Sequence, residues 1–287
     1  MKVIIYLALV FNGCLCQTLD DLRNLVNNLP NATLYLPFSK QFGLNDASAN
    51  EYPGNYTSTR VTFATGPSGA ADTAIEMGGT GAGKYVIVGD YDDLNFQENG
   101  GTSWTISILV KMKTFSGPIT EYDYIDPTTA GYRAHLWMWN ATDKLWFNSA
   151  AGAGSMEDCA MANTWQFVAV VYDHSLTQFR TYCDSTFGTP MNLQPLHTPR
   201  LLIGARVSPS TQTGCDGCQY ACLGIYRTAL TSTQLQQVRQ QCLLWNQVVT
   251  CSPGCPQDTC WPDLSQPKGY RCTTCTAGYT GIQCDRN

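Results

Sequence analysis

Six cysteines crowd into the last part of the chain: Cys251, Cys255, Cys260, Cys272, Cys275 and Cys284. The 34 residues they span hold only a few large apolar side chains, Trp261, Leu264, Tyr270, Tyr279 and Ile282. Such a segment cannot bury enough apolar surface to offset an ordering cost of about 1–2 kcal/mol per residue. Three crosslinks of roughly 2–4 kcal/mol each would offset part of that cost by restricting the unfolded chain. The segment at 251–284 therefore reads as a disulfide-stapled module, and disulfides belong to an oxidising compartment.

The start of the sequence agrees. Residues 1–16 read as a signal peptide, with Lys2 as its positive start, an apolar run from Val3 to Phe11, and Cys14 and Cys16 at the small-residue positions before cleavage. The run is too short to span a bilayer, and no later stretch approaches that length, so no transmembrane segment is expected. Of the fourteen cysteines, loss of Cys14 and Cys16 leaves twelve, an even number suited to a disulfide framework. Three Asn-x-Thr acceptors, Asn31, Asn55 and Asn140, fit a secreted glycoprotein.

Between these ends the pattern changes once. Residues 17–33 read as a short helical segment: Thr18 and Asp21 form a capping box, Leu19, Leu22, Leu25, Val26 and Leu29 make one apolar stripe, and Pro30 ends it. Residues 34–245 read as strand, turn, strand. In Thr105–Lys111, Ile106, Ile108 and Val110 share one face while Thr105, Ser107 and Leu109 share the other. Many short strands with turn-rich links predict a mainly β fold, a sandwich of two antiparallel sheets rather than a parallel α/β fold. A second helix follows Thr231, where Thr231 and Gln234 form a capping box and Leu235, Val238, Cys242 and Trp245 recur at helical spacing. Residues 247–250 read as a linker between two independently folding units.

Charged residues make up 14% of the chain, against about 25% in a typical domain, which excludes a coiled coil or long solvated helices. Seventeen basic residues face 22 acidic ones, and the net charge of −5 excludes nucleic acid as a partner.

Two family resemblances rest on these residues. The ending Cys275-Thr-Ala-Gly278-Tyr279-Thr-Gly281-Ile-Gln-Cys284 is similar to the second half of an EGF-like domain, although two residues separate Cys272 from Cys275 where the family usually has one. The resemblance implies the pairs Cys251–Cys260, Cys255–Cys272 and Cys275–Cys284. The stretch Asn246-Gln-Val-Val-Thr-Cys251 offers no carboxylate, so no calcium is assigned to this module. The larger region resembles the concanavalin A-like, laminin G/pentraxin type of jelly roll. The matching stretches are Gly43-Leu-Asn-Asp-Ala-Ser-Ala-Asn50, Gly83-Lys-Tyr-Val-Ile-Val88 running into Asp92-Asp-Leu-Asn-Phe96, Ser103-Trp-Thr-Ile-Ser-Ile-Leu-Val-Lys111, Thr164-Trp-Gln-Phe-Val-Ala-Val-Val-Tyr-Asp173 and Leu223-Gly-Ile-Tyr-Arg-Thr-Ala-Leu-Thr231. That resemblance implies a binding scaffold, and a fold of this kind does not name its ligand.

Several residues could carry chemistry. The jelly-roll resemblance implies calcium near Asp46, but its usual acidic partners before Leu223 are here Ala221 and Cys222, and calcium wants several carboxylates. Asp90, Asp92 and Asp93 form another oxygen-rich loop, for which turn capping is the simpler account. Glu121-Tyr-Asp123-Tyr-Ile-Asp126 resembles the paired carboxylates of sandwich-fold glucanases, with Asp126 one methylene short of the family's last acid. The expectation is that the protein is not an enzyme. A glycoside hydrolase using Glu121 and Asp126 is the remote alternative. The cluster Cys215, Cys218 and Cys222 is read as disulfide-bonded rather than zinc-binding. Cys159 and Cys183 flank the hairpin around Asp173 and are paired on that ground. Trp137 and Trp139 alternate with His135 on one strand and Trp146 lies on the next, which is either a platform for sugar rings or one wall of the inter-sheet core. The reading that unites these features is a secreted, non-enzymatic binding or matrix protein. It contacts extracellular glycans or proteins, in adhesion or a mineralised matrix. A soluble calcium-assisted lectin is the alternative.

Overall fold

The computed structural model describes residues 18–52, 61–77, 86–88, 101–113, 116–125, 132–141, 144–149, 152–156, 159, 161–192, 201–207, 212–214, 217–256 and 259–286. The signal peptide expected at 1–16 lies outside them. Helix α1 (Leu19–Asn27) opens as its sequence dictates. The Thr18 hydroxyl accepts from the Asp21 N–H at 3.1 Å, and the Asp21 carboxylate accepts from the Thr18 N–H at 2.8 Å. This reciprocal pair satisfies two of the orphan donors of a helix start.

The strands follow as β1 (Ala32–Leu36), β2 (Val61–Ala64), β3 (Ala74–Met77), β4 (Val86–Val88), β5 (Trp104–Lys111), β6 (Ser116–Ile125), β7 (Tyr132–Ala141), β8 (Lys144–Ser149), β9 (Gly152–Met156), β10 (Trp165–Asp173), β11 (Gln178–Cys183), β12 (Thr186–Phe187), β13 (Met191–Asn192), β14 (Leu201–Ile203), β15 (Ala205–Val207), β16 (Gln212–Gly214) and β17 (Cys218–Tyr226). After helix α2 (Ser232–Val248) come β18 (Cys260–Pro262) and β19 (Tyr270–Cys272). Every ladder between these strands is antiparallel. A nine-stranded sheet runs β12-β11-β10-β5-β17-β3-β2, with β1 also on β17 and β13 also on β11. A six-stranded sheet runs β4-β14-β6-β7-β8-β9, and β18 pairs β19 in the C-terminal segment.

The alternation read from β5 sorts its residues between two cores. Ile106, Ile108 and Val110 join Leu34, Leu36, Val168 and Val170 from their own sheet. Val86, Val88, Ile119, Leu201 and Ile203 meet them from the six-stranded sheet. The opposite face of β5 and its neighbours is equally dry. There Tyr35, Leu109, Phe167 and Ala169 meet Leu235, Val238 and Trp245 of α2 and Leu22 of α1. Polar residues on that face must be satisfied internally. Thr105 does so by donating to the Thr228 carbonyl at 2.7 Å and accepting from the Leu230 N–H at 3.0 Å. That pair fixes the approach to α2.

A β-bulge fits α2 to the sheet. Along β17, Ala221 pairs with Leu109 but Gly224 pairs with Ser107, so β17 carries one extra residue, and Cys222 adopts a left-handed φ of 51°. The bulge reverses the strand's phase. Before it Tyr220 belongs to the inter-sheet core and Ala221 to the outer one; after it Leu223 and Ile225 are inner and Tyr226 is outer. Cys222 is thereby left on the outer face, where it bridges to Cys242 of α2. At Gly224 a Cβ would meet the Tyr226 ring at 2.8 Å, so this position needs glycine for the ring to lie across it.

The C-terminal segment does not stand apart. Val249, Cys255, Cys260, Tyr270 and Cys284 belong to the same buried cluster as α1 and α2. Arg23 of α1 donates to the carbonyls of Leu264 at 2.9 Å, Gln266 at 2.6 Å and Pro267 at 3.4 Å. Asn45 donates to the Cys260 carbonyl at 3.2 Å, and Arg271 pairs with Glu51 at 2.6 Å. The linker reading at 247–250 thus meets a shared apolar core. A chain ending at Trp245 is expected to melt well below the full chain and to bind a hydrophobic dye, because truncation exposes the outer face. An unchanged melting temperature would show that the two parts are energetically independent.

Candidate functional site

The hairpins β6–β7 and β7–β8 position the tryptophans singled out above. In the register of β7 and β8, Trp139 stands directly opposite Trp146, and Trp137 opposite Asn148. On the other side of β7, Trp137 is paired with Glu121 and Trp139 with Pro118. The pairing shifts between Leu136 and Ala134, leaving His135 as an extra residue in β7. That shift breaks the strict alternation that would carry His135 in step with Trp137 and Trp139. Asp126, the proposed partner of Glu121, lies outside the described residues, as do Asp90, Asp92, Asp93 and Asn55.

The cysteines sit as follows. Cys251 bridges Cys260, Cys255 bridges Cys272, and Cys275 bridges Cys284. Cys159 bridges Cys183, joining the approach to β10 to the end of β11. Cys218 is also disulfide-bonded. The sulfurs of Cys255, Cys272 and Cys284 cluster closely enough to hold a metal, but all three are already in disulfides. Asn31 is exposed just before β1, and Asn140 lies in β7.

Asp46 has a role other than the metal ligand expected of it. Its side chain is buried, 1% exposed. One carboxylate oxygen accepts from the N–H groups of Tyr35 and Ser48, both at 2.8 Å. The other accepts from the Ser48 hydroxyl at 2.5 Å and the Tyr52 N–H at 3.1 Å. These four donors do not fit a calcium site, which surrounds the ion with oxygen lone pairs rather than N–H and O–H groups. The carboxylate instead ties the loop at 45–52 to β1. Burial pushes the Asp46 carboxyl above its ordinary value, against the lowering effect of the four hydrogen bonds.

No family model matches the chain, and no curated protein does. Solved structures do match in fold. A botulinum neurotoxin DC binding domain in complex with rat synaptotagmin II has a TM-score of 0.53 at 13% identity, covering 77% of this chain and 54% of that one. A botulinum neurotoxin type C structure, of a toxin dependent on interaction with two ganglioside molecules to enter cells, has a TM-score of 0.53 at 13% identity, covering 76% and 52%. The binding domain of Paraclostridial Mosquitocidal Protein 1 has a TM-score of 0.53 at 12% identity, covering 72% and 51%. This chain therefore spans about half the length of these structures. At such identities the likeness is one of fold alone. Among the described residues no helix is long and apolar enough to cross a membrane.

Replacing Asp46 tests its structural role. Asp46→Ala leaves the Tyr35, Ser48 and Tyr52 N–H groups without their acceptor and should cost roughly 2–4 kcal/mol, equally with and without millimolar calcium. Asp46→Asn adds the pH sign. Because the folded-state value is raised, the folded chain holds this proton more tightly than the unfolded one. Its stabilising contribution is present at low pH and is lost as pH rises through the folded value. The stability deficit of the Asn variant should therefore shrink as pH rises from acid to neutral. A calcium-dependent melting temperature that Asp46→Ala abolishes would overturn this assignment.

Proposed function

We propose that the protein is a secreted, non-enzymatic binding or matrix protein that contacts extracellular glycans or proteins through its six-stranded sheet. The observation that carries this reading is the unequal covering of the two sheets. The nine-stranded sheet has both faces buried, one on the second sheet and one under α2, α1 and the C-terminal segment. Among the described residues the main contacts of the two helices are with each other and with β17, while β15 and β16 lie against β6 of the six-stranded sheet. That sheet carries the directly opposed pair Trp139 and Trp146. Aromatic side chains present the flat apolar surface on which a sugar ring or an apolar partner residue rests.

Three further features support the reading. The bridged cysteines suit an oxidising compartment. The order of motifs from Gly43 to Thr231 resembles a laminin G-like jelly roll, and the cysteine pattern of 251–284 an EGF-like module. Among the proteins of similar fold, one neurotoxin binding domain is in complex with rat synaptotagmin II, and another toxin depends on interaction with two ganglioside molecules for cell entry.

The test is an array of glycans and extracellular matrix proteins probed with the full secreted chain and with Trp139→Ala and Trp146→Ala. Selective binding that falls at least roughly tenfold in either variant, at unchanged melting temperature, is the expected result. Binding that both variants retain in full would remove the tryptophan pair from the contact surface.

A further inference from the structure

We propose that Cys275 is a covalent attachment site for a partner thiol, which is retained through an exchange between two neighbouring disulfides of the C-terminal segment. The sulfurs of Cys255, Cys272 and Cys284 lie within 4.8 Å of one another. Cys255 is bonded to Cys272, whereas Cys284 is bonded to Cys275. Cys284 thus sits beside a bridge that is not its own. An isolated disulfide, once opened, has only its former partner to return to; here a second bridge is within reach.

The two bridges differ in access. Cys284 is fully buried, at 0% exposure, and Cys255 nearly so at 8%, while Cys272 and Cys275 are only half-buried. Thr274, Thr276, Ala277 and Gly278 around Cys275 are exposed. A thiolate arriving from solvent therefore attacks Cys275 rather than Cys284. Its sulfur bonds to the Cys275 sulfur, the Cys275–Cys284 bond breaks, and the electron pair leaves on Cys284.

Opening that bridge does not release Cys284 from its place. The Ser252 hydroxyl donates to the Cys284 carbonyl at 3.0 Å, the Cys272 N–H to the Ile282 carbonyl at 2.7 Å, and the Gln283 side-chain amide to the Tyr270 carbonyl at 3.0 Å. The new thiolate is held next to Cys255–Cys272 in a dry site, where a charge is poorly solvated. It attacks the Cys255 sulfur, forms Cys255–Cys284, and the electron pair leaves on Cys272, the more exposed of the two. One thiolate and two disulfides enter the sequence, and one thiolate and two disulfides leave it, so no oxidant is required. Cys284 is then occupied in its new bridge and no longer expels the partner from Cys275. Cys251 and Cys260 lie outside the sulfur cluster and keep their own bridge.

The test incubates the full chain with reduced glutathione or with a single-cysteine peptide, removes the free thiol, alkylates at once and maps the peptides. One partner per chain should be found on Cys275, together with a Cys255–Cys284 bridge, an alkylated Cys272 and an unchanged Cys251–Cys260 bridge. Uptake of glutathione alone identifies small thiols as the partner; uptake of both extends the site to protein thiols. Cys255→Ser with Cys272→Ser leaves Cys284 only Cys275 to return to, and this variant should lose the partner once free thiol is removed. Cys275→Ser starts with Cys284 free, so its map should show the Cys255–Cys284 bridge and a free Cys272 with no partner added. Trp139→Ala should take up the thiol as the unmutated chain does, which separates this site from the six-stranded sheet. Absence of a partner on Cys275, alkylation of any cysteine other than Cys272, an intact Cys255–Cys272 bridge in the modified chain, or retention of the partner by the double variant would overturn the proposal.

Discussion

A sheet with two dry faces needs two covers, and most of this structure follows from that requirement. Strand β5 is buried along nearly its whole length, so neither set of its alternating side chains can turn to water. The inner cover is a second sheet, which the pleat supplies directly. The outer cover is assembled from pieces that share no ladder with the sheet: a helix from the beginning of the chain, a helix after the last strand of the sheet, and the cystine-rich tail. Among the described residues such a cover shares no ladder with the sheet and must be pinned by other means. The Cys222–Cys242 bridge and the Thr105 hydroxyl are those pins, and the Arg23 guanidinium ties two pieces of the cover to each other. Asp46 belongs with them, because it holds the loop that flanks the tail against β1.

Local chemistry was legible in the sequence wherever it was short in range. Thr18 with Asp21 and Thr231 with Gln234 cap helices because both partners lie within four residues, and both boxes form. The period-two pattern of β5 sorts its residues correctly between the cores, since alternation depends on nothing beyond the strand. Strand β17 is different. Its alternation is interrupted by the bulge at Cys222, so the central strand of the fold does not read as one in sequence. Its identity rests on pairing with β5, β3 and β1, which no local window contains.

The candidate sites divide along the same line. Asp46 followed two residues later by Ser48 reads alike as a turn cap or as part of a metal loop. The donors that decide between them, the Tyr35 and Tyr52 N–H groups, approach from outside the motif. Tyr35, Tyr226 and Trp245 of the outer core come from three elements far apart in sequence, so no spacing could announce their meeting. A weak signal did exist: Tyr35 sits between Leu34 and Leu36, which places a hydroxyl on the second buried face of a strand already apolar on its first. Trp139 and Trp146 were visible as aromatic residues on successive strands, but their direct opposition depends on the hairpin register.

The contact between Arg23 and Leu264 joins residues 241 positions apart, nearly the full span of the described chain. Loop closure over such a distance costs only about 0.6 kcal/mol more for each doubling of length, yet it must be met before any contact there repays it. The order of assembly follows. Pairing of β1 with β17 brings the two ends of the fold near each other, α2 docks on β17, and α1 and the tail then meet across the seam. What closes last with few contacts of its own is also what opens first. The seam between the chain's two ends should therefore be where backbone amides exchange fastest among the buried elements, while the sandwich beneath stays shut.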